Sequence, residues 1–196
     1  MGKASNTRNT ILQKSFQLIY KKGYQTTSID EIIATTQVTK GAFYYHFKTK
    51  DEMGIAIINE IVKPEIQSAF LAPLQNSKDP TEGIYALIKS LLLETPFLQF
   101  ENGCPISNLA QEMTPWNPKF SEALNELVME WQTSLENSIQ IGIDSGALSG
   151  NANPKQVAHF ILSGYWGVRN LGKIFNSADI YHSYLEELKT YLDHLK

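Results

Sequence analysis

Residues 40–50, KGAFYYHFKTK, set cationic and aromatic side chains at helical spacing beside a glycine, a combination suited to a polyanion. Lys40 carries a point charge that pairs with phosphate and could also donate to guanine O6 or N7. Gly41 lacks a Cβ and permits close backbone approach. Phe43 and Phe47 lie at i and i+4, so they share one face, while Lys40, Gly41, Tyr44, Tyr45 and His46 project elsewhere. Inward phenylalanines would hold such a helix, leaving tyrosines, lysine and histidine to touch a duplex. A plainer reading has the tyrosines packing and the lysines facing water.

These side chains need a short helix held at a fixed angle to another. Ser28 with Glu31 three residues later forms a capping box, and the helix it opens offers Ile29, Ile32 and Ile33 to a core. Thr35, Thr36 and Gln37 end that pattern, Val38 supplies an apolar anchor, and Thr39 caps a second helix running from Lys40 to Phe47. Two capped helices with three or four turn residues between them fit a helix-turn-helix.

Charge distribution agrees. Residues 1–50 hold eight basic residues against two acidic ones, a formal +6, while residues 51–196 carry −9 and the whole chain −3. A basic end on an acidic body suits phosphate binding at that end. At 196 residues the chain has room for a small head and a larger unit, and a chain of this size buries roughly 70 % of its unfolded surface. No apolar run approaches the ~18 residues that span a bilayer, and the N-terminus lacks the apolar stretch of a signal peptide, so a cytoplasmic protein is expected. One cysteine, Cys104, excludes an intrachain disulfide and a thiolate-cluster metal site. The histidines show no metal-ligand spacing, and no cofactor is expected.

The segment VTKGAFYYHFKTKDE closely resembles the head of TetR-family transcriptional repressors, and a first helix from about Thr7 to Lys22, ending at Gly23-Tyr24, fits the same head. This resemblance covers roughly residues 5–62. It implies an all-α fold of about nine helices: a three-helix DNA-binding domain at 1–50 and a helical effector-binding and dimerisation domain at 51–196. It also implies a homodimer that binds palindromic operator DNA and lets go when a small molecule enters the body. Carried over to this chain, Tyr44 lies over bases or backbone, and Tyr45, His46 and Lys50 contact phosphates. Thr27, Ser28 and Thr39 add hydroxyl or helix-start N–H contacts.

The rest of the chain reads as further helices. Thr49 with Glu52 opens one running toward Leu71, with Pro64 as a kink or break. Others begin at Asp79-Pro80, Cys104-Pro105, Asn117-Pro118, Asn153-Pro154 and Asp179. The helix from Pro154 has an apolar circumference too wide for one buried stripe, and by resemblance it and the last helix pair with their twofold mates. The resemblance also implies an effector cavity bordered by Phe97, Phe100, Trp116, Trp131, Phe160 and Trp166, rings that favour an apolar or aromatic molecule. Arg169 could hold a ligand carboxylate or an internal acid such as Glu112 or Glu130, and the internal pair is the expectation. Cys104, at a helix start, and Lys173 resemble the sensing thiol and neighbouring cation of the TetR-like branch that answers electrophiles such as N-ethylmaleimide. The alternatives are an all-helical enzyme acting on small electrophiles through Cys104, for which no catalytic motif is present, and a nucleoid protein that binds DNA with little discrimination.

Overall fold

The computed structural model describes residues 3–77 and 79–196, with side chains described for all of these except 3, 4, 70–73, 75 and 76. Counting contiguous helical segments as one, the described residues form nine α-helices, a short 3-10 turn at Phe100–Asn102 and no strand. α1 is Lys3–Lys22, longer at its start than expected because no glycine or proline interrupts residues 3–6. Its buried face, Ile11, Leu12, Ser15, Phe16, Ile19 and Tyr20, follows the 3.6-residue period. Gly23, at φ +97°, ends it in a conformation that L side chains rarely adopt.

α2 is Ile29–Thr36 and α3 is Lys40–His46. Both arms of the Ser28–Glu31 capping box are made, and the Thr39 hydroxyl accepts from Ala42 N–H at 3.1 Å. Ile32 is fully buried, whereas Ile29 and Ile33 are only half-buried. α4 begins as Lys50–Ile57, widens into a π turn over Ile58–Val62 and continues as Lys63–Asn76. The Thr49 hydroxyl caps it through Glu52 N–H at 3.0 Å, but the Glu52 carboxylate accepts from Lys48 N–H, one residue earlier than a capping box requires. Pro64 does not break α4. In the π turn Lys63 N–H reaches back to the Ile58 carbonyl, and the wider turn accommodates the proline ring and its missing donor.

α5, Pro80–Lys89, is capped by Asp79 and ends through a π turn, Ser90–Glu94, ahead of Pro96. α6 is Pro105–Met113, α7 is Pro118–Asp144, α8 is Pro154–Phe175 and α9 is Asp179–Asp193. The expected starts at residue pairs ending in proline all hold, because proline lacks only a donor that the first helical turn leaves unused.

Two compact units result: residues 1–64 with 105–125, and residues 65–104 with 126–196. This division does not coincide with the boundary expected after residue 50. The start of α4 supplies Met53, Ala56, Ile57 and Ile61 to the first core, and α6 with the start of α7 adds Ile106, Leu109 and Phe120. The second core is built from Ile84, Leu87 and Ile88 of α5, Trp131, Leu135 and Ile139 of α7, Ile161 and Tyr165 of α8, and Leu185, Leu188 and Leu192 of α9. Each such side chain, fully buried, contributes roughly 1.5–3 kcal/mol.

Candidate nucleic-acid interface

The first unit presents α3 as a ledge anchored from beneath. Phe43 and Phe47 are completely buried, their ring centroids 6.0 Å apart. Lys40, Gly41, Tyr44 and Tyr45 are exposed, Tyr45 to 73 %. His46 is half-buried with its ring edge-on to Tyr45 at 4.9 Å. The Lys40 ammonium lies 3.5 Å from the Asp30 carboxylate, a pair so exposed that a phosphate can replace the partner at little cost. Lys48 belongs on this surface although the reading of the sequence did not assign it. It is exposed and its Nζ donates to the Tyr44 carbonyl at 3.2 Å.

Three expected contacts are otherwise engaged. Thr27 is buried, and its hydroxyl donates to the Gly23 carbonyl at 2.7 Å, bracing the turn rather than facing solvent. Ser28 is exposed but its hydroxyl serves the capping box. Lys50 is half-buried; Nζ donates to the Tyr24 carbonyl at 2.5 Å and sits 4.3 Å from the centroid of the Tyr24 ring. Burial pushes its pKa down. Lys50 therefore ties α4 to the turn after α1, so its replacement would disturb the head as well as remove a charge.

An ion pair holds α2 against the end of α1. Lys22 and Glu31 pair at the surface, and the Lys22 ammonium, followed by the Ser28 N–H, holds the Glu31 carboxyl down to about 2. An ordinary glutamate titrates near ~4.3. Because the folded value lies below the unfolded one, the pair's contribution is complete above about pH 5 and is lost as pH falls through the folded value. The stability difference between the native chain and Glu31→Gln is therefore expected to shrink on acidification across that window, as followed by urea denaturation. A difference that stays constant down to the folded value would show that the charge contributes nothing.

In the second unit Trp131 is buried with Tyr165 edge-on at 5.1 Å and Trp166 at 6.3 Å. The buried indole N–H of Trp166 has no acceptor among the described residues. Arg169, one turn along α8, is completely buried. Its guanidinium donates to the backbone carbonyls of Leu98 at 3.2 Å, Gln99 at 2.9 Å and Gly103. Glu112 and Glu130, the acids expected to meet it, each have other partners. Glu112 accepts from the N–H groups of Tyr24 and Gln25, and Glu130 from Gln67 Nε2 at 2.8 Å. Three carbonyls of one loop can satisfy a guanidinium as a carboxylate would, but no residue spacing announces them.

Phe97 and Phe100 are half-buried and flank in sequence Leu98 and Gln99, two of the residues whose carbonyls Arg169 holds, and Cys104 is buried. Lys173 is exposed. Phe160 is half-exposed against Tyr191, ring centroids 4.3 Å apart. Trp116 lies in the first unit and is 78 % exposed. No helix among the described residues is long and apolar enough to cross a membrane.

Residues 11–57 match the family model described as "Bacterial regulatory proteins, tetR family", and residues 80–188 match "Tetracyclin repressor-like, C-terminal domain". The chain is 29 % identical over 187 residues to an uncharacterized HTH-type transcriptional regulator in the lacX 3' region of Lactococcus lactis subsp. lactis, covering 94 % of this chain and 92 % of that one. A solved TetR transcriptional regulator from Chloroflexus aurantiacus superposes with a TM-score of 0.90 at 27 % identity, over 98 % of this chain and 97 % of that one. Reduced NemR from E. coli superposes with a TM-score of 0.81 at 20 % identity, over 96 % of each chain, and shares the fold. The chain belongs to the TetR family of bacterial regulatory proteins and is a transcriptional regulator rather than an enzyme.

Proposed function

We propose that this chain is a cytoplasmic, homodimeric, ligand-responsive repressor that binds palindromic operator DNA through α3 and lets go when a small hydrophobic effector enters the second unit. The outward row of Lys40, Gly41, Tyr44 and Tyr45, on a helix pinned by buried Phe43 and Phe47, carries this reading. Basic and aromatic groups without an internal structural task are left to meet phosphates and base edges. Thr39, at the start of α3, and His46 and Lys48, at its end, extend the same surface.

Dimerisation is supported by α8. Phe160, Gly167, Leu171, Ile174 and Phe175 fall along one exposed stripe, with Ile174 72 % exposed. A Cβ on Gly167 would meet nothing within 4 Å, leaving room for a second helix, whereas Gly164 is already covered by Tyr184 of the same chain. Two heads related by a twofold axis read a palindrome and roughly double the contact free energy of one.

For the effector, Trp131, Tyr165, Trp166, Phe97 and Phe100 favour an apolar or aromatic molecule. Burial of Cys104 favours a noncovalent effector over an electrophile, because a thiol must be reached to react. The effector has only to prefer the released state by a few kcal/mol to shift the population.

Selection from random-sequence duplexes by the native protein tests this reading and is expected to enrich a palindrome. On that duplex Tyr45→Ala is expected to bind about tenfold more weakly, and Lys40→Ala to lower the salt slope of affinity by about 1. Failure to enrich any sequence would leave a non-specific DNA coat or no DNA binding at all. A panel of hydrophobic compounds and N-ethylmaleimide then separates the two effector routes. Release that persists in Cys104→Ala supports the noncovalent route, and release lost only in that variant supports the thiol.

A further inference from the structure

Glu112 closes α6 onto the turn that opens the reading head. Its carboxylate accepts from two successive backbone N–H groups, Tyr24 at 3.1 Å and Gln25 at 2.7 Å. The Gln25 side chain returns the contact, its Nε2 donating to the Glu112 carbonyl at 3.5 Å and lying 3.4 Å from the Met113 sulfur. Gly23 completes the seat, since a Cβ there would stand 3.1 Å from Glu112 Oε1. A carboxylate forked across consecutive amides fixes direction as well as distance, which apolar packing cannot do.

The same turn is gripped from two more helices. The Tyr24 hydroxyl donates to Asp51 Oδ1 at 2.7 Å, and Asp51 Oδ2 accepts from Asn117 Nδ2 at 2.8 Å. The Tyr24 ring meets Phe120 edge-on at 5.1 Å. Gly54 lets α4 come this close, since a Cβ there would lie 2.6 Å from Phe120 and 2.7 Å from Tyr24. Residues 23–27 are thus held by α4, α6 and α7, and α2 starts directly after them.

α6 has only nine residues. Its last turn carries Glu112. We propose that Glu112 is the positioning residue through which α6 sets the turn at 23–27, and with it the attitude of α2 and α3 toward DNA. The inference rests on the reading that the first unit binds DNA.

The full-length native chain, Glu112→Gln and Glu112→Ala are compared on the duplex enriched by the native protein and on a scrambled duplex of equal length. Glu112→Ala is expected to lose about tenfold in affinity for the enriched duplex, while affinity and salt slope on the scrambled one stay unchanged. Glu112→Gln keeps the side-chain length and one acceptor oxygen, and is expected to fall between. In both variants hydrogen exchange should quicken at the Tyr24 and Gln25 amides and stay native at Phe43. Undiminished discrimination between the duplexes, or an equal loss on both with faster exchange at Phe43, would overturn the proposal. If the native chain enriches no sequence, the DNA reading fails and the inference falls with it; if it does enrich one and the variants keep it, only the inference fails.

Discussion

Arg169→Ala is expected to lower the unfolding free energy by about 3–5 kcal/mol, the largest effect of any single polar substitution in the second unit. The guanidinium is completely buried and supplies donors to three backbone carbonyls, those of Leu98, Gln99 and Gly103. Each buried acceptor left without a donor costs roughly 1–3 kcal/mol, and the vacated side-chain volume adds a cavity cost. Because the acceptors belong to the backbone, no compensating substitution removes them. Arg169→Lys keeps the charge but presents a compact ammonium in place of a planar fork, so an intermediate loss is expected. Urea denaturation followed by tryptophan fluorescence measures both, since Trp166 lies one turn before Arg169 and Trp131 packs against it. Native stability in Arg169→Ala would mean that the 98–103 carbonyls find water or other donors readily.

Phe43→Ala is expected to destabilise the first unit by about 3–5 kcal/mol and to abolish recognition of the enriched duplex. Phe43 is completely buried and touches the rings of Tyr44 and Phe47. α3 has only seven residues, too few to hold a helix in water without tertiary support, so the loss of its anchor should release the whole reading surface. Tyr45→Ala provides the contrast. Its ring is 73 % exposed, so stability should stay within about 0.5 kcal/mol while DNA binding falls. Hydrogen exchange distinguishes the cases, because Phe43→Ala should free amides in α1–α3 and leave those of α8 and α9 native. Uniform acceleration across the chain would show that the two units unfold together.

The helix-turn-helix could be read from residue order because its determinants are local. A hydroxyl and a carboxylate three residues apart make a cap, proline opens a first turn, and Gly23 stops α1; all act within a few residues of themselves. The same holds for the inward Phe43 and Phe47 and the outward Lys40, Tyr44 and Tyr45, which follow from helical period alone. Pro64 shows where a local rule stops. Proline forbids an ordinary helical hydrogen bond, but the π turn before it is an option that only the packing of α4 selects.

Residue order also marked the family and the basic end, since charge and motif spacing survive without knowledge of packing. Which polar group meets which partner is another matter. Thr27 turned inward to Gly23, Lys50 to Tyr24, Arg169 to a loop some seventy residues away, and Glu112 to amides more distant still. Trp116, grouped with the effector rings, ended on the surface of the first unit. Short-range preferences set where helices begin, end and face. Long-range pairings arise after the helices pack, when burial obliges every donor and acceptor to take whichever counterpart the assembled chain has brought within reach.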